Sequence, residues 1–373
     1  MSDKITLKIG GNEFNKDWTD MRVIRSLDRL CSSFEFTCTQ LKPFDRNQWP
    51  LKIGSTCEVL IADKPVLVGY IEDVNVDYTK DSHTVTIAGR DKTCDIVDCT
   101  RAPVDKDGRT LQVHMGRDIR ISTMIKKLCE PFGIDVVIDP EAIPLGNTAF
   151  PSMTVFDPAA PIIEFVMKGC KTSRLIPMAT NNGKLLLTVV GKGQATTKIA
   201  TGYNVIHGGL KQSNKDVFSI YMTKGYTPGT DFRAPPEYQW TQIFYDKSGL
   251  AGRYRPYADL SEVPGDRGTG HNRTYWEAHY RAANSRQYGY SLRGLTQEDG
   301  SLWEPNMLVT VLDSVLGIEP ARSDMLISQV EYTVTNQGSI TNLQICSKAK
   351  YDTKTGLDSI LTIFDSTYAE RSY

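Results

Sequence analysis

Apolar and polar positions alternate with a period of two through much of the first hundred residues. Ile5-Thr6-Leu7-Lys8-Ile9 has the pattern of a half-buried strand, and Gly10-Gly11-Asn12 supplies a turn. Phe34–Cys38, Cys57–Ile61, Val66–Ile71, Val74–Tyr78 and His83–Gly89 repeat the alternation, with Lys80-Asp81-Ser82 as a hairpin tip. Short strands at regular spacing predict an antiparallel barrel or sandwich. Between Trp18 and Arg29 the alternation fades, and Ser26 and Asp28 are placed to start a short helix.

From about Leu111 the period becomes helical. Ile121, Ile125 and Leu128 share a face, with Ser122 as N-cap and Pro131-Phe132-Gly133 as a stop. Ile134–Ile138 reads as a strand, and Asp157-Pro158 opens a second helix carrying Ile162, Phe165, Val166 and Cys170. Asn181-Asn182-Gly183, between two apolar runs, predicts a hairpin whose Asn-Gly pair takes positive φ at both turn positions. Strands resume after Thr201 at Val205-Ile206 and Phe218–Met222. Gly225–Arg273, rich in Gly, Pro and Tyr, reads as a long excursion that includes Ala234-Pro235-Pro236, Val263-Pro264-Gly265 and Gly268-Thr269-Gly270. A helix follows over Tyr275–Arg286, then strands at Tyr288–Leu295, Leu308–Leu312, Leu326-Ile327, Val330–Val334 and Leu343–Ile345.

Two of these blocks read alike. Trp49-Pro50, Cys57-Glu58-Val59, Ile71, Val74, Val76, Val85 and Ile87 match, in order, Trp303-Glu304-Pro305, Val309-Thr310-Val311, Ile327, Val330, Tyr332, Leu343 and Ile345. Each block ends in a hairpin, flanked by Tyr78 and His83 in the first and by Val334 and Ile340 in the second. The expected architecture is therefore mainly β (α+β): two similar antiparallel β-barrels with a small α/β domain between them. The expected limits are 1–100 for the first barrel, 101–200 for the α/β domain and 201–350 for the second barrel. An irregular insertion lies at about 225–286, and 351–373 forms a tail with one short helix.

Composition narrows the function. The chain of 373 residues has 43 Lys and Arg against 44 Asp and Glu, which argues against nucleic acid as the main partner and gives little electrostatic protection against self-association. No run is long and apolar enough to span a bilayer, and the start lacks a signal peptide's apolar segment, so synthesis in a cytoplasm is expected. The 8 cysteines form no CxxC pair and read as reduced, often buried thiols.

Catalytic, cofactor and metal sites are not expected. His271 and His279 have no neighbouring ligands in a familiar spacing, and Gly191-Lys192-Gly193 lacks the rest of a P-loop and reads as a turn. Cys94 and Cys99, with four residues between them, read better as buried thiols than as a redox pair, and carboxylates such as Glu72-Asp73 as solvated. Aromatic residues concentrate between Gly225 and Tyr290, among them Tyr226, Tyr238, Trp240, Phe244, Tyr257, Tyr275 and Trp276. Protein contact, sugar contact and core packing all use that composition.

The runs Gly69–Val74 and His83–Cys99, with Gly89-Arg90-Asp91 at the centre of the second, resemble the baseplate hub proteins of contractile-tailed phages. The Mu-like hub (P protein) group, related to the late control D proteins, is the nearest in pattern. Leu302-Trp303-Glu304-Pro305-Asn306 and Leu326–Val330 resemble the second barrel of the same family. The resemblance implies a structural virion protein of the tail baseplate, without enzymatic activity or cofactor. It implies a homotrimer that binds a trimeric tail spike on one side, and the tail tube and other baseplate proteins on the other. Three subunits with two like barrels present six similar surfaces, so a trimer can be pseudo-six-fold at the tube and three-fold at the spike. In this reading Gly69, Gly89, Arg90, Asp91, Trp303, Pro305 and Asn306 have architectural roles. A tail-associated peptidoglycan or glycan hydrolase, or a glycan-binding module, is the alternative.

Overall fold

Strands dominate the computed structural model, which describes residues 4–10, 12–14, 18–40, 52–80, 83–101, 107, 119–149, 159–225, 240–246, 253–260 and 267–351. The first block holds β1 (Ile5–Ile9), β2 (Asn12–Phe14), β3 (Trp18–Ser26), β4 (Ser33–Gln40), β5 (Thr56–Ile61), β6 (Lys64–Tyr78) and β7 (His83–Asp91). Helices α1 (Cys94–Asp98), α2 (Ile121–Cys129), α3 (Ile143–Gly146) and α4 (Ile162–Ser173) follow, with strands β8 (Val136–Ile138), β9 (Ile176–Ala179) and β10 (Leu185–Thr188). The remainder contains β11 (Ile199–Ala200), β12 (Val205–Gln212), β13 (Ile220–Gly225), β14 (Trp240–Tyr245), β15 (Pro256–Leu260) and α5 (Arg267–Asn284). It closes with β16 (Arg286–Arg293), β17 (Leu308–Asp313), β18 (Ile318–Thr335) and β19 (Gly338–Ser347).

The two blocks share one topology. Strand order β3-β4-β7-β6-β5 in the first recurs as β12-β16-β19-β18-β17 in the second, with every neighbouring pair antiparallel. β3 also pairs with β18, so both blocks lie in a single 13-stranded sheet. No closed barrel forms among the described residues.

The repeat extends to register. Gly69 pairs with Asp91 and Tyr78 with His83 in the first hairpin; Met325 pairs with Ser347 and Val334 with Ser339 in the second. The two hairpins therefore correspond position by position, from Gly69 on Met325 to Asp91 on Ser347. Each has a bulge at the same place, Glu72 in β6 and Ser328 in β18. A second bulge also recurs, at Thr19 in β3 and Ile206 in β12. Even a polar cross-strand contact is repeated: Thr37 and Thr86 hydroxyls lie 3.2 Å apart, and Ser291 Oγ donates to Asn342 Oδ1 at 2.7 Å. The apolar pattern alone misplaces part of this alignment. Val85 and Ile87 correspond to Thr341 and Leu343, while Ile345 corresponds to Gly89, and the tip partner of Val334 is Ser339 rather than Ile340.

Inward residues of both blocks form one continuous core that includes Phe36, Ile71, Ile87, Trp303, Tyr332 and Leu343. The helical segment has its own core, with Ile121, Ile125 and Leu128 of α2 against Ile162 and Val166 of α4, beside a three-stranded sheet in the order β8-β10-β9. A smaller cluster of Leu27, Ile176, Met178, Leu326 and Cys346 joins that sheet to the ends of β3 and β19 and the middle of β18.

Several local expectations change. Residues 18–26 are a strand: Met21, Val23 and Arg25 face inward, and the outward Thr19, Asp20 and Arg22 dilute the apolar signal. Arg120, not Ser122, holds the N-cap of α2, and Ser122 is buried within the helix. The Asn181-Asn182-Gly183 turn joins β9 to β10, but only Gly183 of the Asn-Gly pair has positive φ, at 77°. Thr180 N–H bonds Lys184 O at 2.8 Å and Gly183 N–H bonds Thr180 O at 3.1 Å, which makes a three-residue loop. The excursion is partly regular, with a small sheet β14-β13-β15 and α5 beginning at Arg267, so Gly268-Thr269-Gly270 is helical. Trp49-Pro50, Leu111, Asp157-Pro158, Ala234-Pro235-Pro236, Val263-Pro264-Gly265 and the tail 352–373 lie outside the described residues.

Candidate functional site at the hairpin ends

Gly69, Gly89, Arg90 and Asp91 meet where the β6–β7 hairpin ends and the chain passes into α1. A Cβ at Gly69 would lie 1.8 Å from Arg90 O, and one at Gly89 would lie 2.1 Å from Tyr70 O and 2.6 Å from Phe34 Cζ. Glycine is required at both because backbone and a ring fill the side-chain position. Arg90 makes bidentate contacts to two carboxylates: Nε and Nη2 donate to Glu72 at 2.5 and 2.8 Å, and Nη1 and Nη2 donate to Asp98 at 3.1 and 2.5 Å. The bulge that displaces Glu72 brings it to Arg90, so Glu72 is not merely solvated. These contacts push the Arg90 pKa further up and hold Asp98 below the usual carboxylate range.

Asp91 is 1% exposed. Its carboxylate accepts Ser32 N–H at 2.5 Å, Thr93 N–H at 2.8 Å and Thr93 Oγ1–H at 2.5 Å. Burial raises its pKa, and the three hydrogen bonds oppose that shift.

Trp303, Pro305 and Asn306 meet at the entry to β17. Trp303 is 2% exposed and its carbonyl accepts the Tyr332 hydroxyl. Pro305 and Asn306 occupy the centre of a turn in which Met307 N–H bonds Glu304 O at 3.4 Å. Asn306 has φ of 73°, the conformation of the third residue of a type II turn. Its buried amide then clamps the end of the helical segment: Oδ1 accepts Gly191 N–H and Nδ2 donates to Val189 O, both at 2.8 Å. Gly191 and Gly193 have positive φ, so Gly191-Lys192-Gly193 is a turn.

Arg25 completes the joint and carried no signal in the sequence, because it lies in the stretch where the alternation fades. Its guanidinium, 4% exposed, lies 3.5 Å from Glu304 Oε1 and donates to Ala179 O at 3.3 Å. Asn181 Nδ2 donates to the same Glu304 oxygen at 3.1 Å. Strand β3, the β9–β10 hairpin and the Glu304 turn are thereby tied together. A similar tie, also unanticipated, joins Asp28 to Lys350 Nζ at 2.8 Å and to the Tyr351 hydroxyl at 2.6 Å.

Other candidates resolve into packing. His279 stacks edge-on against Tyr275 at 4.0 Å, and burial lowers its pKa; the His271 side chain is outside the described residues. Among the described residues, no group of three or more His, Cys, Asp or Glu is placed to hold a metal ion. Cys94 is buried and Cys99 exposed, at opposite ends of α1, and burial pushes the Cys57, Cys129 and Cys346 thiols up to about 12. Phe218, Tyr221, Phe244, Tyr257 and Tyr275 form ring contacts between the small sheet and α5. Arg281 lies 4.2 Å over the Tyr257 ring. The side chains of Tyr226, Tyr238 and Trp240 lie outside the described residues.

These joints fall in stretches that match known proteins. The Mu phage baseplate assembly protein GpP-like N-terminal model matches residues 4–91, and the baseplate hub protein gp44-like second-domain model matches 93–189. The GpP fourth-domain model matches 267–354. The chain belongs to the baseplate hub family of Mu-like phages. This hub protein is 27% identical over 353 residues to baseplate hub protein gp44 of Escherichia phage Mu, covering 91% of this chain and 86% of that protein. The crystal structure of the 43 kDa tail protein of prophage MuSo2 from Shewanella oneidensis matches with a TM-score of 0.79 at 24% identity, covering 94% and 100% of the two chains. The E. coli c3393 protein matches with a TM-score of 0.51 at 9% identity, covering 91% and 76%. It is described as a component of the type VI secretion system, structurally similar to phage T4 tail proteins gp27 and gp5. The hub is a structural protein of the virion tail baseplate. No helix among its described residues is long and apolar enough to cross a membrane.

Proposed function

We propose that this hub subunit assembles as a homotrimer whose six strand blocks join a six-fold tail tube to a three-fold spike. The duplicated register carries the reading: two blocks of one topology, whose hairpins correspond position by position, give each subunit two equivalent surfaces. Equivalent shallow depressions support it. One is lined by Arg22, Glu35 and Asp73, the other by Gly209, Gly289 and Gln329, which are the corresponding positions. Three copies of a two-block chain satisfy both symmetries without a separate adaptor. The architectural residues Gly69, Gly89, Arg90, Asp91, Trp303, Pro305 and Asn306 hold each block to the helical segment, and the chain does no bond-breaking chemistry itself. Light scattering across a wide concentration range tests the assembly, with particle images for symmetry. A trimeric mass and a three-fold ring are expected; a persistent monomer overturns the proposal. Release of fragments from purified peptidoglycan would overturn the non-enzymatic part.

A further inference from the structure

Two thiols from segments far apart in the chain meet beside Asp91. Cys31 lies in the connection between β3 and β4, and Cys94 opens α1. Strand pairing brings them there: Ser33 lies opposite Arg90, and one step further on Asp91 N–H bonds Ser32 O at 3.0 Å. The Asp91 carboxylate then holds the residue next to each cysteine. Oδ2 accepts Ser32 N–H at 2.5 Å and Oδ1 accepts Thr93 N–H at 2.8 Å. Cys31 Sγ lies 3.8 Å from Asp91 O, and its thiol is in hydrogen-bond contact with that of Cys94. A disulfide needs two sulfurs in contact on backbones that need not move, and the Asp91 bonds fix the backbone on both sides.

The two thiols differ in access. Cys31 is partly exposed, while Cys94 is 2% exposed. A dissolved reagent therefore meets Cys31 first and Cys94 only through it. Cys129 and Cys170, on neighbouring helices, are both buried, and the exposed Cys99 lies at the far end of α1. The contact with Cys94, together with burial, pushes the Cys31 thiol up, which makes it a slow nucleophile at neutral pH.

We propose that Cys31 and Cys94 form a disulfide site that is closed by a low-molecular-weight disulfide. The Cys31 thiolate attacks one sulfur of that reagent, which forms a mixed disulfide and releases one thiolate. The Cys94 thiolate then attacks the Cys31 sulfur, forms the bond between the two residues and releases the second thiolate. The protein gives up two protons and two electrons; the reagent takes both and leaves as two thiols. The bond closes a loop of about 60 residues and ties the β3–β4 connection to the entry of α1, where the first block passes into the helical segment. A reducing cytoplasm keeps the pair open, and a virion outside the cell leaves that reducing pool behind.

Incubation of the folded full chain with oxidised glutathione tests it. Alkylation of the remaining thiols followed by peptide mapping is expected to show one cross-linked peptide pair containing Cys31 and Cys94, which dithiothreitol removes. Cys94→Ala is expected to stop at the first stage, with glutathione held on Cys31, and Cys31→Ser to leave Cys94 unmodified. The map of the parent chain decides the pairing even where Cys94→Ala does not fold. Alkylation of both thiols in the treated parent overturns the proposal, as does a bond from Cys31 to Cys99. Glutathione retained on Cys31 of the parent also overturns it, because Cys94 would then be out of reach. The oxidised chain is expected to unfold about 5 °C above the reduced one. Equal midpoints would overturn the role of the bond as a staple.

Discussion

Asp91 and Ser347 sit at equivalent positions in the two hairpins, and each accepts the backbone N–H two residues further on. Asp91 takes Thr93 N–H at 2.8 Å ahead of α1, and Ser347 takes Ala349 N–H at 3.3 Å ahead of the short 3-10 helix Lys348–Lys350. Asp91 also holds Ser32 N–H and the Thr93 hydroxyl, so its loss strands several buried donors. Asp91→Ala is expected to cost about 2–3 kcal/mol and Ser347→Ala about 1 kcal/mol, read from denaturant unfolding. Equal costs would show that the extra donors contribute nothing.

Gly69 and Gly89 test the close approach of backbone at the hairpin end. Ala at either requires the strands to part, because the new Cβ would lie 1.8 or 2.1 Å from a carbonyl oxygen. Each substitution is expected to lower stability by about 3 kcal/mol or to block folding. Gly289, also in a strand, has nothing within 4 Å of an added Cβ, so Gly289→Ala is expected to change stability by about 0.5 kcal/mol or less. Thermal unfolding of the three variants checks the contrast.

Carboxylates at this joint respond to pH in opposite directions. Asp98 has a lowered folded pKa, so its contribution is present above the ordinary value of 3.8 and is lost as pH falls through the folded value. Asp91 has a raised folded pKa, so the folded state loses stability there as pH rises from 3.8 through the folded value. Between pH 7 and 3, Asp98→Asn is expected to reduce the acid loss of unfolding free energy. Asp91→Asn is expected to steepen it, because a gain on acidification disappears. Unchanged pH profiles would disconnect both shifts from stability.

The period-two pattern revealed most strands of both blocks, because alternating burial leaves its mark on every second residue. Trp18–Ser26 stayed hidden because the strand turns an arginine inward: Arg25 is buried against Ala179 O and Glu304, partners supplied by distant segments. The long strand Ile318–Thr335 was legible only in pieces, since the bulge at Ser328 shifts the alternation. Gly89 stood out by its motif, but Phe34, which fills its side-chain position, lies on another strand. At the joint, Trp303 and Asn306 were visible as a turn and an anchor. That Asn306 clamps Val189 and Gly191 depends on a contact between segments far apart in the chain.

Trp303 anchors the core shared by the two blocks. Trp303→Ala removes a side chain that is 2% exposed and is expected to cost about 3–5 kcal/mol. Tyr332→Phe keeps the ring and loses only the hydroxyl bond to the Trp303 carbonyl, for about 1 kcal/mol. A thermal midpoint unchanged by Trp303→Ala would show that the indole is not an anchor.

Arg25 and Glu304 join the two blocks and the β9–β10 hairpin unequally. Arg25 is 4% exposed while the Glu304 side chain is 36% exposed, so solvent screens one partner and not the other. Glu304→Gln keeps an oxygen for Asn181 Nδ2 and removes the charge facing Arg25. It is expected to cost about 1–2 kcal/mol, below the penalty for breaking a fully buried pair. Arg25→Met removes the buried charge together with the bond to Ala179 O, so Glu304→Gln added to Arg25→Met is expected to cost less than it does alone. A double-mutant cycle measures that coupling. Strict additivity would mean that the pair does not hold the blocks together, and that Asn306 with the Leu27, Met178 and Leu326 cluster does so instead.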